Sequence, residues 1–251
     1  MSLQSMFHRK KQQNKNLKAV FLNCSIKPSS EVSNTLALME KLAGAMQAFD
    51  EVDVEMIHVN DYEVKYGVVN DAGDGDEWPK ILEKISTCNI FIMGMPIWMG
   101  VRSSVAQLVI ERLDGSTKEG VCPETGQFPL YGSVAGIVVT GNEDGAHDCI
   151  ANTFANLLHF GVTVPPNTDV YWVGDAGPGA SYIEAGGDMN PYVNRNVQLA
   201  AENLVFGAKV MLENPYPTNL RVLKEEMMAG MKIKMAVMKK MTSELRQQME
   251  K

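Results

Sequence analysis

The sequence predicts a doubly wound α/β fold: a five-stranded parallel sheet of order 2-1-3-4-5, helices on both faces, and a C-terminal helical extension. Three observations carry this. Short apolar runs without polar alternation recur down the chain, the pattern of strands covered on both faces. Segments with apolar residues at helical spacing alternate with them, the order of strand–helix–strand units in a parallel sheet. At 251 residues, 45% hydrophobic and 21% charged, the chain is long enough and globular enough to bury such a core.

The first strand is 18–24, KAVFLNC, followed by Ser and Asn punctuation and then a helix in which Leu36, Met39, Leu42, Ala43 and Met46 recur as far as Phe49. The second strand is 52–59. A stretch at 62–76 holds too many Gly, Asp and Asn residues to be regular. A short helix at 78–85 leads to the third strand, 89–95, ended by Pro96. The third helix is 101–113, with Ser103 and Ser104 near its start, and a Gly/Pro-rich insertion follows at 114–132. The fourth strand, 133–140, reads VAGIVV without alternation, and its helix is 144–160. The fifth strand, 163–173, is interrupted early by Pro165 and Pro166. A glycine-rich segment at 174–188, with Gly174, Gly177 and Gly179, reads as a flexible lip before a last domain helix from 191 to about 212.

Asn214-Pro-Tyr-Pro-Thr218 then stops the domain. Beyond it Leu220, Leu223, Met227, Met231, Met235, Met238, Met241, Leu245 and Met249 step by three or four residues, an apolar stripe on one long helix. Seven of the seventeen methionines lie there, and Met-rich faces are adaptable contact surfaces. Docking on the neighbouring domain surface or a second subunit is the expected role; a membrane-surface helix is the alternative, with no aromatic anchors in the tail to favour it. The chain therefore divides into a disordered basic arm (1–16), an α/β domain (17–213) and this helix (214–251).

Charge is unevenly placed. Residues 1–18 carry +5 and residues 220–251 carry +4, so the body between them carries −16 of the net −7. Such a body opposes nucleic-acid phosphate over most of its surface, and no nucleic-acid partner is expected. No apolar run reaches the ~18–20 residues of a membrane span, and no apolar stretch follows the basic N-terminal residues, so a cytoplasmic location away from membranes is expected. Cys24, Cys88, Cys122 and Cys149 are scattered without a C-x-x-C pair or a His at ligand spacing, which predicts free thiols and no metal.

In a 2-1-3-4-5 sheet the loops after strands one, three and four meet at one edge, where ligands of open α/β sheets bind. The first holds Ser25, Lys27, Ser33, Asn34 and Thr35 just before a helix start. These either grip a phosphate with the helix N-terminus or form a simple helix cap with a solvated lysine. G-x-x-x-x-G-K-[ST] and G-x-G-x-x-G are both missing, which removes a triphosphate loop and the usual dinucleotide fingerprint. The second loop, with Pro96, Ile97, Trp98, Met99 and Gly100, offers an apolar wall and backbone N–H groups to a flat ring; alone it is also an ordinary connection. The third, Thr140, Gly141, Asn142, Glu143, Asp144 and Gly145 ahead of His147, brings polar groups and a cap, or is a plain turn with a surface histidine.

Taken together, CSIKP and SNT ending at Thr35, MPIWMG ending at Gly100 with SS at 103–104 and ERLD at 111–114, and TGNEDGAH ending at His147 resemble the flavodoxin-like NAD(P)H-dependent FMN reductase and quinone reductase family. The similarity continues through YWVGDAGPGASY, ending at Tyr182, and spans roughly 17–212. The resemblance implies an FMN phosphate held by the first loop and an isoalloxazine flanked by the other two. It implies hydride transfer from the nicotinamide C4 of NADPH or NADH to flavin N5, then electron delivery to a small-molecule acceptor such as a flavin or quinone. Backbone N–H groups around Met99, Gly100, Asn142 and Gly145 would stabilise charge at N1 and C2=O. Trp98 would pack at the ring or the mouth, and His147 would serve as proton donor. A homo-oligomer, dimer or tetramer, is expected. Two rival classes are a non-enzymatic flavodoxin-type electron carrier, and an assembly or membrane-associated protein with an inert α/β body.

Overall fold

The computed structural model describes residues 16–249 other than 120, 176 and 178; the basic arm falls outside them apart from residue 16. Among the described residues the sheet consists of β1 (Leu17–Asn23), β2 (Val52–His58), β3 (Ile90–Trp98), β4 (Val101–Arg102), β5 (Val134–Thr140) and β6 (Asp169–Trp172). Its order is β2-β1-β3-β5-β6, all parallel, with the two-residue β4 folded back antiparallel on β3. Leaving out β4, this is the predicted 2-1-3-4-5 sheet.

Both faces of each central strand are buried, as the unbroken apolar runs require. Val20 and Leu22 of β1, Phe91 and Met93 of β3, and Ile137 and Val139 of β5 face one layer. That layer is α2 (Trp78–Ile85), α3 (Ser104–Glu119) and α4 (Ala146–His159). Ala19, Phe21, Ile90, Ile92 and Val138 face the other, packed by α1 (Asn34–Phe49) and α5 (Pro191–Glu213). α6 (Leu220–Met249) follows Asn214-Pro-Tyr-Pro-Thr218, as the spacing predicts.

Several boundaries differ from the sequence expectation, most of them for a tertiary reason. β3 continues past Pro96 to Trp98. The Gly94 carbonyl accepts from Cys24 N–H, so in a parallel ladder Pro96, two residues on, faces the same side, where β1 has already ended. The missing N–H therefore costs no ladder bond. Val101 and Arg102 belong to β4, with Met99 (φ +51°) and Gly100 (φ +79°) as the turn of a two-residue hairpin, so α3 begins only after Ser103. At its other end α3 runs through Gly115, Ser116 and Thr117 to Glu119, where a loop was expected. A Cβ at Gly115 would lie 2.6 Å from the Val69 carbonyl carbon, so the glycine marks the close approach of the 62–76 segment rather than a helix end. Ser116 and Thr117 return their hydroxyls to the Leu113 and Asp114 carbonyls. The fifth strand is likewise shorter than expected, with Thr163 making only an isolated bridge to Val134 ahead of the prolines.

The irregular 62–76 segment is held by one buried ion pair. Arg112 Nη2 lies 2.6 Å from Asp76 Oδ2, and both side chains are fully buried. Arg112 also donates to the Lys65 and Asn70 carbonyls, and its guanidinium stands over the Trp78 ring at 5.8 Å. Burial alone would raise the Asp76 pKa, but N–H donors from Ala72, Lys65 and Trp78, together with Arg112, hold its carboxyl below the ordinary range. Asp76→Asn leaves a buried cation without its counter-charge and is expected to destabilise the protein by about 3–5 kcal/mol in urea unfolding. The Asp76 contribution is complete above the unfolded carboxyl value near pH ~4 and is lost as pH falls through the lower folded value. Across that acid range the variant should therefore show a shallower loss of stability than the wild type.

Candidate functional site

The loops after β1, β3 and β5 line one open cleft of about 230 Å³ at the carboxyl edge of the sheet. Its walls are Ser25, Ile26, Lys27, Ser33, Asn34 and Thr35 on one side and Pro96, Ile97 and Trp98 on another. Thr140, Gly141, Asn142 and Glu143, with Ser181 and Tyr182, close the third. Twelve of the residues singled out from the sequence thus come together here.

The first loop is built by its own hydrogen bonds. Asn23 Oδ1 accepts from Ser25 N–H and Ser25 Oγ from Lys27 N–H, while the Lys27 ammonium donates to the Val32 carbonyl at 3.1 Å. Ser33 is the N-cap of α1, its Oγ accepting from Leu36 N–H, which leaves its O–H free to donate. The capping role and an anion-binding role are therefore compatible: the cap aims the α1 N-terminus, with its positive dipole end, at the cleft.

The loops are also fastened to one another. Thr35 Oγ1 and Thr140 Oγ1 are 2.7 Å apart, both buried, tying the first loop to the third at the cleft floor. Ser103 Oγ donates to the Cys24 carbonyl and accepts from Ala106 N–H, so one hydroxyl caps α3 and anchors the first loop. Asn34 Oδ1 accepts from Ile183 N–H. Asn142 donates to the Gly179 carbonyl, and its own carbonyl accepts from Gly177 N–H. These last contacts fold the glycine-rich lip onto the cleft and bring in Ser181 and Tyr182, which sequence reasoning missed, as it missed Ile26 between two chosen residues. The signal was the continuation of the resembling segment through Tyr182.

Tyr182 is only 2% exposed, edge-on to Trp172 at 5.9 Å, with no hydrogen-bond partner for its hydroxyl. Burial, with the nearby Asp188 charge, pushes its pKa up to about 12, so the phenol stays protonated at neutral pH. Trp98 is half exposed at the mouth.

Five expected site residues lie outside this lining. Met99, 89% exposed at the hairpin tip, has its N–H bonded to Glu143 Oε1 at 2.9 Å. Gly100, Asp144 and Gly145 pack the hairpin against the third loop. A Cβ on Gly145 (φ +124°) would meet the Gly100 carbonyl oxygen at 2.3 Å, so this glycine serves backbone-to-backbone contact. His147 is turned away: it stands edge-on to Tyr171 at 5.2 Å and lines a separate polar hollow with Asp169, Tyr192 and Arg195. In the first turn of α4 its side chain meets Tyr171 of β6, so it is not among the residues that line the cleft. All four cysteines are buried, and among the described residues no group of His, Cys, Asp and Glu side chains is arranged to hold a metal ion.

Fold and cleft together define a flavodoxin-like α/β protein with its ligand cleft at the carboxyl edge of the sheet. The chain belongs to the NADPH-dependent FMN reductase family, whose model matches residues 17–176. It is 34% identical over 213 residues, 81% of this chain and 82% of the relative, to the 8-demethyl-8-aminoriboflavin-5'-phosphate synthase of Streptomyces davaonensis. It is 37% identical over 201 residues to the divalent metal cation transporter MntH of Mycobacterium bovis; the match spans 78% of this chain but only 29% of that protein. Among the described residues no helix is long and apolar enough to cross a membrane. The crystal structure of RosB with bound intermediate 8-demethyl-8-formylriboflavin-5'-phosphate superposes with a TM-score of 0.78 at 32% identity, covering 85% of this chain and 87% of that one. An NADH:FMN oxidoreductase in its apo form shares the fold at TM-score 0.56 and 15% identity, covering 76% of this chain and 89% of that one.

The cross-loop hydroxyl pair makes a measurable prediction. Thr35→Val and Thr140→Val are each expected to lower unfolding free energy by about 1–2 kcal/mol. The double variant should lose less than the sum, with a coupling of about 0.5–1.5 kcal/mol in a denaturant double-mutant cycle. Strict additivity would show that the two loops are not joined through these groups.

Proposed function

We propose that this chain binds FMN in the cleft and acts as an NAD(P)H-dependent oxidoreductase that passes electrons to a small acceptor. The observation that carries the reading is one continuous cleft. One end offers Ser25, Lys27, Ser33, Thr35 and the α1 N-terminus; the other offers the Ile97–Trp98 wall. This donor set fits a phosphate, since hydroxyls, one ammonium and a helix N-terminus are what a phosphate monoester needs for charge-assisted hydrogen bonds. Trp98 and Ile97 fit a flat ring system, and Tyr182 lines the same cleft from the lip that Asn34 ties to the first loop.

When bound, FMN supplies the redox chemistry, accepting a hydride from reduced nicotinamide and releasing two electrons to an acceptor. The protein's share is binding, orientation and exclusion of water. Lys27 and the α1 N-terminus fix the anionic end, and the Thr35–Thr140 pair keeps the two loops that grip it at constant spacing. Asn142, bonded to Gly179 and Gly177, fixes the third loop, which would help to hold the ring system. Met99 N–H donates to Glu143, which holds the hairpin tip to the third loop beside the cleft.

A second reading is favoured by the 34% identity to the aminoriboflavin-phosphate synthase and the match to RosB across most of both chains. In it the FMN-type flavin is substrate and leaves the cleft altered in its ring substituents. Both readings need the same phosphate grip.

The deciding experiment is an absorption titration of purified protein with FMN, followed by NADPH or NADH under anaerobic conditions. The reductase reading expects association at micromolar levels and bleaching of the long-wavelength flavin band within the first turnover. A second incubation of protein with FMN, aerobic and with an amine donor so that oxidant and nitrogen for a ring-substituent exchange are both supplied, separates the readings by the mass of the released flavin: unchanged FMN supports the oxidoreductase, and a modified ring supports the second. Trp98→Ala should weaken FMN binding by about 1–3 kcal/mol, roughly 5- to 150-fold, if the indole stacks on the ring. Unchanged affinity would remove Trp98 from the site.

A further inference from the structure

Among the described residues one helix is bonded to the α/β body at its root and stands exposed beyond it. α6 is exposed along the whole shaft from residue 221 to 242, and its large apolar side chains stand open to solvent. Leu223, Met227, Met231, Met235, Met238 and Met241 are each 52–58% exposed. An isolated helix gains little from propensity alone and depends on packing an apolar face. Its root is nevertheless fixed. Gln127 donates to the Tyr216 and Thr218 carbonyls, Arg221 N–H donates to the Thr125 carbonyl, and Asn219 both donates to the Glu124 carbonyl and caps Val222 N–H. The Tyr216 hydroxyl pairs with Thr163 Oγ1 at 2.9 Å. The helix therefore leaves the body in a set direction, as an arm rather than a loose tether.

We propose that α6 binds a second copy of this chain, laying its methionine face, and the basic line beside that face, on the acidic body of the partner copy. Charge complementarity favours this occupant: residues 220–251 carry +4 and residues 19–219 carry −16. Pairing α6 with another α6 would set like charges side by side. The stripe points the same way. Nine apolar positions from Leu220 to Met249 step by roughly 3.6 residues on average, the period of a straight helix face, whereas a supercoiled pair asks for about 3.5. At about 100° per residue Lys232 and Lys239 fall within roughly 20° of each other along one border of the stripe, while Arg221 on the same border is engaged at the root by the Pro123 carbonyl and Glu225. A 30-residue helix is about 45 Å long and about 10 Å across, so one face offers several hundred Å² toward the roughly 800 Å² per partner of a stable interface. A lipid surface fits less well, since 220–251 contains no aromatic residue and places Glu225 and Glu226 near the root.

Sedimentation velocity of the full chain tests this. The wild type is expected to run as a dimer or larger species that dissociates as salt is raised. Met231→Glu/Met235→Glu/Met238→Glu should be monomeric, with the unfolding transition of the α/β body unchanged. Lys232→Glu/Lys239→Glu, which leaves the methionine face intact, should weaken association at least tenfold at low salt and flatten its salt dependence. A monomeric wild type, a methionine variant that keeps its assembly, or association that tightens with salt as for an α6–α6 pair would each overturn the proposal. So would a wild-type monomer that co-sediments with anionic phosphatidylglycerol vesicles.

Discussion

Parallel pairing of β1 with β3 and of β3 with β5 is the constraint from which the rest follows. Both faces of these strands are spent on helices, so polar chemistry has no place on the sheet itself. It is forced into the connections, and a parallel ladder delivers the connections after β1, β3 and β5 to the same edge. Loops brought together in this way would splay without cross-ties. Thr35 with Thr140, Ser103 with the Cys24 carbonyl and Asn34 with Ile183 N–H provide three, each using a short polar side chain near a helix start. The cleft is therefore preorganised by residues that themselves lie in or next to its wall.

This arrangement explains what could be read from the chain. Periodicity exposes an element whenever its own residues decide its state, so α1, α2, α5 and the buried strands are visible in the spacing of Leu, Met and Val. It fails where a distant residue decides. Pro96 continues a strand because β1 has ended beside it, and Gly115 sits inside a helix because Val69 presses on it. His147 stands in the right motif but at a helical position whose side chain meets Tyr171, a contact fixed by how α4 lies on β6. The cleft residues from the first loop and from 96–98 were legible because they fall at strand ends. Ser181 and Tyr182 were not, since contacts from distant residues, among them Asn34, Asn142 and Trp172, pull the lip into place.

The Arg112–Asp76 pair belongs to the same class of hidden determinants. The segment before α2 contains Asp71, Asp74 and Asp76, and nothing local distinguishes the third from the other two. Folding buries it against an arginine 36 residues later and gathers donors from Lys65, Ala72 and Trp78 around it. An apolar contact of similar volume could be as stable, but it would not select one path for a chain rich in Gly and Asp. The pair specifies the route of the loop more than it adds to stability, and it lets the acidic 62–77 segment pack on α3 with the Gly115–Val69 approach as its second fixed point.

Charge raises a last question: how a body of −16 attracts an anion to its cleft. At physiological ionic strength charges more than about 8–10 Å away are largely screened, so the cleft responds to what lies next to it. Next to the proposed phosphate position stand Lys27, the hydroxyls of Ser25 and Ser33, and the N-terminus of α1. Hydroxyls and peptide dipoles favour an anion without adding formal charge, so the site coexists with an acidic exterior. Long-range steering of an anionic ligand is then weak, and retention comes from short contacts. The same acidic exterior, unsuited to phosphates at a distance, is suited to the cationic face of α6, where many charges meet over a helix length rather than at one point. One distribution of charge thus serves two scales, with local dipoles setting the cleft and net charge setting the outer surface.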